Sequence, residues 1–167
     1  MNTMRIYVGT YAKYNSGNLH GDWLDLSDYS DMEEFHDACK ELHSTEDDPE
    51  FMFQDFEGIP EGLVSESHID PLVFELASLD PHQVQVFEAY RSDVDQEGTL
   101  EQSQEAFRGT YENKRDYAQE MYSESEGELP QWVRSNIDWD GVVIDLEYGG
   151  TTFAFVGHSN GGYMVFC

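Results

Sequence analysis

The chain has 167 residues, with 35 Asp plus Glu against 8 Lys plus Arg, and a formal net charge of −27. That length permits one ordinary domain or several small ones around modest cores. Charge of this sign and size excludes nucleic acid and anionic membrane surfaces as partners and points to a basic surface or a cation.

Low hydrophobicity with high net charge favours disorder, but ten Tyr, ten Phe and three Trp argue for a folded chain that tolerates self-repulsion. Cys39 and Cys167 stand far apart and form no metal-spaced pair, so no disulfide framework is expected and a reducing cytoplasm is the default. The N-terminal MNTMRIYVGTYAKYN has no apolar signal core, and no stretch of about 18 apolar residues could span a bilayer.

In chain order, residues 4–12 are β-rich and aromatic, the KYNSGN segment is turn-like, and residues 18–26 read as a returning strand. Ser30 to Glu33 fits a capping box that opens a helix to about His43. Met32, Phe35, Cys39 and Leu42 are its buried stripe. Residues 51–56 read as a third strand, followed by a GIPEG loop. Asp70-Pro71 and Asp80-Pro81 each place a cap before proline, predicting helices over about 71–79 and 81–92. Thr99 caps a helix that stops at Gly109. Thr110 caps another from about 111 to 125, with Tyr111, Arg115, Ala118 and Tyr122 on one face. Pro130 marks a further helix start, and periodicity does not separate helix from strand in the stretch from Ile137. TTFAFV and GYMVFC, joined by HSNGG, predict a terminal hairpin. Beyond Glu147 there are no acids, so the last twenty residues are core or association surface.

Residues 41–90 stand out. They hold thirteen carboxylates and neither Lys nor Arg, with large apolar residues threaded between the acids. An acidic tail would lack those apolar groups. The segment can therefore fold and still present an almost purely anionic face.

Three patterns suggest chemistry. Gly157 to Gly161 matches G-x-S-x-G around Ser159, but only six residues follow and none is His or acidic, so the hydrolase reading fails. Asp93 to Gln104 resembles a calcium loop with Gly98 at its sixth position, yet the twelfth is Gln104 where a bidentate Glu belongs. Calcium binding by this loop is the alternative function. The six histidines (His20, His36, His43, His68, His82 and His158) are scattered, none pairs at i,i+4, and each reads as a surface or turn residue. With acids everywhere, no carboxylate pair can be singled out as a general acid and base. The acid density itself is the main signal, and it points to a protein that is not an enzyme.

The run IYVGTYAKYNSGNLHGDWLDL resembles the start of the ArdA antirestriction proteins, and DPEFMFQDFEGIP resembles a further block of that family. ELPQWVRSNIDWDGVVIDLEYGG is similar to its C-terminal antirestriction motif at Leu129-Pro130, Ile137-Asp138 and Asp145-Leu146. It differs at Ile144, where the family carries Arg. The resemblance implies an α+β fold in an elongated chain of small domains: a sheet with one helix at the N-terminus, a helical middle, and a C-terminal helix with a β-hairpin. Domain limits of 1–61, 62–109 and 110–167 follow. It also implies a cytoplasmic homodimer, carried by mobile elements, that binds type I restriction-modification enzymes by imitating DNA and needs no cofactor or metal.

The phosphate-like array would comprise Asp22, Asp25, Asp28, Asp31, Glu33, Glu34, Asp37, Glu41, Glu46, Asp47, Asp48, Glu50, Asp55, Glu57, Glu61, Glu66, Asp70, Glu75, Asp80 and Glu88. Asp93, Asp95, Glu97, Glu101, Glu105, Glu112, Asp116, Glu120, Glu124 and Glu126 would extend it. Trp132, Ile137, Trp139, Val142 and Val143 would form the dimer contact. At about one charge per 1.7 Å of B-DNA axis, two chains carry excess charge equivalent to roughly 90 Å of duplex.

Overall fold

A computed structural model of the chain describes residues 3–127, 129–157 and 161–167. The fold is α+β, with three small antiparallel sheets and eight α-helices among the described residues. Two compact units divide the chain, Met1–Val84 and Gln85–Cys167.

The first unit is built on β1 (Arg5–Thr10), the central strand of a sheet ordered β2-β1-β3. Ile6 and Val8 alternate along it and are fully buried. β2 (Asp22–Asp25) is shorter than the strand expected over 18–26, because Leu26 turns into a single 3-10 turn and buries its side chain. β3 (Phe51–Glu57) pairs with β1 through a bulge: Tyr7 faces Asp55 while Val8 faces Phe53, leaving Gln54 as the extra residue. Where the sequence suggests only a turn, Thr10 accepts a hydrogen bond from the Lys13 amide and starts a short helix, α1 (Tyr11–Asn15).

Helix α2 (Met32–Leu42) follows its apolar stripe, with Phe35 and Cys39 fully buried. Its cap is not Ser30. Asp31 accepts from the amides of Glu33 and Glu34, and Glu34 reaches past it to accept from the Ser30 amide at 2.8 Å, so the expected box is replaced by an aspartate cap. The carboxylate wins the site because it serves two amides and meets the positive end of the helix dipole. Phe35 is the hub of the core, with the rings of Tyr29, Phe53 and Phe74 at 5.4, 6.3 and 5.8 Å. A small hairpin, β4 (Val64–Ser65) and β5 (His68–Ile69), leads into α3 (Leu72–Ala77). Asp70 accepts from the Leu72 amide. Asp80 caps α4 (Pro81–Asp93) by accepting from His82 and Gln83, while Gln83 accepts from the Asp80 amide.

In the second unit α5 (Leu100–Ala106) carries the expected Thr99 cap, reciprocated by Gln102. It ends earlier than Gly109, and Phe107–Tyr111 form a strand, β6, not helix. The next helix, α6 (Lys114–Glu126), is capped by Asn113 rather than Thr110. Tyr111 therefore lies outside it, on the strand. The reason is a distant partner. β6 joins the terminal hairpin of β7 (Thr152–Val156) and β8 (Gly162–Phe166) in the order β6-β8-β7. Gly109, at φ +141°, sits at a register shift that a side chain would strain.

Beyond α7 (Gln131–Arg134), the stretch from Trp139 to Tyr148 is helical, α8, and Asp138 caps it through the Gly141 amide. One face of the sheet, with Ala154, Met164 and Phe166, packs on Val86, Ala89 and Tyr90 of α4. The other carries Phe153 and Tyr163, and Tyr117 of α6 meets Phe153 edge-on at 5.7 Å. Among the described residues no helix is long and apolar enough to cross a membrane.

Candidate functional site

The anionic surface follows directly from where these elements send their side chains. In the stretch 41–90 most of the threaded apolar residues turn inward: Phe53, Leu63, Val64, Val73, Phe74, Leu76, Val84, Val86 and Phe87 are buried, Phe51 and Leu72 are half-buried, and Phe56 alone of these is exposed. The acids between them turn outward. Of the thirty carboxylates expected to form the array, Asp25, Glu46 and Asp70 are half-buried and the side chain of Glu126 lies outside the described residues; all the others are exposed.

Two of the helices arrange their acids in rows. Glu33, Asp37 and Glu41 follow one another at i,i+4 along α2, and Asp116, Glu120 and Glu124 do so along α6. Each step advances about 6 Å along the helix. Like charges at this spacing destabilise a helix by about 0.2–0.5 kcal/mol per pair, so the rows oppose folding. Sequence reading registered the density but missed this spacing, although it is visible in the residue numbers.

The acids divide by duty. Asp31, Asp70 and Asp80 bond to helix amides, and Asp25 caps the 3-10 turn through the Ser27 amide. Asp28, Glu33, Glu41, Asp47, Asp48, Glu50, Glu61 and Glu75 hold no hydrogen bond of this kind, and their carboxylates face solvent.

Cations are handled in the opposite way. Arg5 makes two bonds to Glu57, of 2.8 and 2.7 Å, and lies over the Trp23 ring. Lys40 pairs with Asp37 at 2.8 Å and Lys114 with Glu147 at 2.6 Å. Arg115 grips both oxygens of Asp140, whose carboxyl the guanidinium holds below its ordinary range. Lys13 is paired with Glu46 at 3.0 Å. Arg91 donates to the Gln96 carbonyl and Arg108 to that of Cys167. The exposed pairs among these add little stability. Their effect is on the field: seven of the eight bases are neutralised or turned onto their own chain, and little free positive charge interrupts the surface.

The residues expected at a dimer contact are spread over α7, α8 and the bend between them. Trp132 is 73% exposed, Ile137, Trp139 and Val142 are half-buried, and Val143 packs inside the chain's own core. The structure adds Ile144 and Tyr148, an exposed i,i+4 pair on α8 with Tyr148 88% exposed, and Phe155 on β7. The exposure of Ile144 and Tyr148 is not legible in the sequence, because a helix-or-strand ambiguity there leaves the outward face undefined.

The calcium-loop pattern finds another explanation. Gly98 does not take the left-handed backbone that such a sharp turn requires. It is glycine because a Cβ would run into the Tyr90 ring. Among the described residues no three His, Cys, Asp or Glu converge as a metal site. Ser159 and its neighbours His158 and Asn160 lie outside the described residues; a strand, β8, follows the pattern where a nucleophile elbow needs a helix. His43 departs from its expected place: it is fully buried. Cys39 is also buried, and burial pushes its thiol up to about 12, which leaves it unreactive.

Comparison with curated proteins gives no match. A family model described as antirestriction protein (ArdA) matches residues 6–163.

Proposed function

Since the chain belongs to the ArdA family of antirestriction proteins, we propose that it is a non-catalytic DNA mimic that occupies the DNA-binding groove of type I restriction-modification enzymes. The observation that carries this reading is the asymmetry of charge handling: most carboxylates face solvent unpaired, while seven of the eight bases bind a carboxylate or a backbone carbonyl of their own chain. A groove that binds DNA gains by releasing counterions from phosphates, and a dense carboxylate surface seated there releases its own counterions in the same way.

One helical row is not enough to match a strand of DNA. Its charges fall about 6 Å apart along the axis, against 3.4 Å per phosphate on one strand. On this reading the acids of the loops and of β3 supply the remainder. The partner is the methyltransferase core in the cytoplasm, and the attraction is collective, so no single carboxylate is essential. A competition assay tests this. Labelled duplex bound to a purified type I methyltransferase should be displaced by stoichiometric protein; undiminished duplex binding would remove the proposal.

A homodimer formed through the second unit suits the exposed apolar residues of α8. Ile144→Asp should shift the protein from dimer to monomer in sedimentation velocity while leaving the circular dichroism spectrum unchanged. Val143→Asp is the control, since it places a charge in the core and should unfold the unit. A monomeric wild type, or an Ile144→Asp protein that remains dimeric, would contradict a contact on this helix.

A further inference from the structure

Beneath the anionic surface of the first unit lies a closed polar cluster that the binding reading does not use. Lys13 Nζ stands 2.7 Å from His43 Nδ1 and 3.0 Å from Glu46 Oε1. The Thr10 hydroxyl donates to the same Glu46 oxygen at 2.9 Å. His43 Nε2 lies 3.2 Å from the Val8 carbonyl. His43 and Thr10 are both fully buried. The donors fix the chemistry. Lys13 has only protons to offer, so Nδ1 must accept, and Nε2 carries the single ring proton toward Val8. His43 is therefore neutral, and the cluster holds one cation and one anion.

The cluster joins four parts of the unit: β1 through Val8 and Thr10, α1 through Lys13, the C-terminal end of α2 through His43, and the following loop through Glu46. That loop, residues 44–50, carries Asp47, Asp48 and Glu50, all exposed. Its backbone bonds include the Ser44 amide to the Glu41 carbonyl at 3.3 Å, the Glu46 amide to the His43 carbonyl at 2.9 Å, and the Tyr11 amide to the Glu50 carbonyl at 3.1 Å.

We infer that Thr10, Lys13, His43 and Glu46 form a latch that positions the acidic loop 44–50 on the sheet, and that proton uptake by His43 opens it. A second proton on the ring would put an N–H of an imidazolium against the Lys13 ammonium. The buried cluster would then hold two cations and one anion. Glu46, 3.9 Å from Nδ1, can serve one of them only by leaving the other. A buried charge without a partner is strongly destabilising, so the loop must let water in. The groups facing the ring are Lys13 from α1, Glu46 from the loop and His20, whose ring lies edge-on at 6.0 Å. Burial, opposed by the Val8 carbonyl and reinforced by Lys13, holds His43 below its ordinary value. The open state thus takes the proton more readily, and the closed state loses ground as pH falls below about 6.5. Whether the acids on this loop face an enzyme or anything else does not enter the inference.

Amide hydrogen exchange on the full chain, read with the ring resonances of His43, tests it. Between about pH 7.5 and about pH 5, corrected for intrinsic rates, protection of the Tyr11 and Glu46 amides should fall about tenfold or more, while the β1–β2 ladder holds. The fall should coincide with His43 titration. His43→Gln, which cannot titrate, should abolish the step. Lys13→Met should move it to higher pH, because the cation opposing protonation is gone; a purely structural role predicts a uniform loss of protection at every pH. Should a variant fail to fold, the wild-type data decide. Unchanged loop protection across this range, or a step that does not follow His43, overturns the latch.

Discussion

Raising the salt from about 50 to about 200 mM is expected to weaken the complex with a type I methyltransferase by about a hundredfold, and over the same range to raise the melting temperature of the free protein. The two effects share one cause. At −27 in 167 residues the folded chain repels itself, and its i,i+4 acid rows repel within single helices. Salt screens that repulsion, with a Debye length near 10 Å at 0.1 M, and so favours the compact state. The same ions compete for the groove. A protein making six to ten phosphate contacts on DNA loses about 10³–10⁵ in affinity over this interval. A carboxylate surface condenses fewer counterions than a duplex does, which sets the smaller figure. Fluorescence anisotropy for the complex and a thermal melt for the free protein, in matched buffers, measure both. An affinity flat in salt would leave the electrostatic account without support.

The second large effect concerns how the charge is shared. Converting Asp28, Glu33, Glu41, Asp47, Asp48, Glu50, Glu61 and Glu75 together to their amides should weaken binding about a thousandfold, at about 0.5 kcal/mol for each exposed charge. Asp47→Asn alone should weaken it by no more than about threefold on the same scale. The eight lie in the first unit, are exposed and hold no cap, so the combined variant should fold and melt no lower than wild type. Duplex competition gives the affinities. A single neutralisation that abolished binding with the fold intact would contradict a shared array. So would an eightfold variant that bound like wild type.

Much of the first unit could be read from the chain, for a local reason. Phe35 and Cys39 recur at helical spacing, and Asp70 and Asp80 stand before prolines, so the information lies within a few residues of where it acts. The anionic face was legible on the same ground, since apolar residues alternate with acids and only one set can be inside. What escaped was tertiary. β6 is a strand because β8, more than fifty residues later, offers Phe166, Val165, Met164 and Tyr163 as partners; nothing near Gly109 says so. His43 is buried because Val8, Lys13 and Glu46 converge on it from other elements. Ser30 and Asp31 are adjacent and both able to cap, and only geometry chooses between them. At Ile144, where the chain departs from the family's pattern, the sequence leaves the orientation undecided; the helix places it on the exposed side of α8.

The division of the acids between capping and solvent-facing duties sets how freely each position can drift. Asp80 answers to two amides at fixed distances, and its loss costs a helix end whatever the total charge. Asp47 answers only to a sum. A lineage under pressure to keep that sum can move a carboxylate from one exposed position to another with little penalty. If the proposed array is the working surface, related chains with the same task should differ most at the acids that only face solvent, and least at those that also cap a helix.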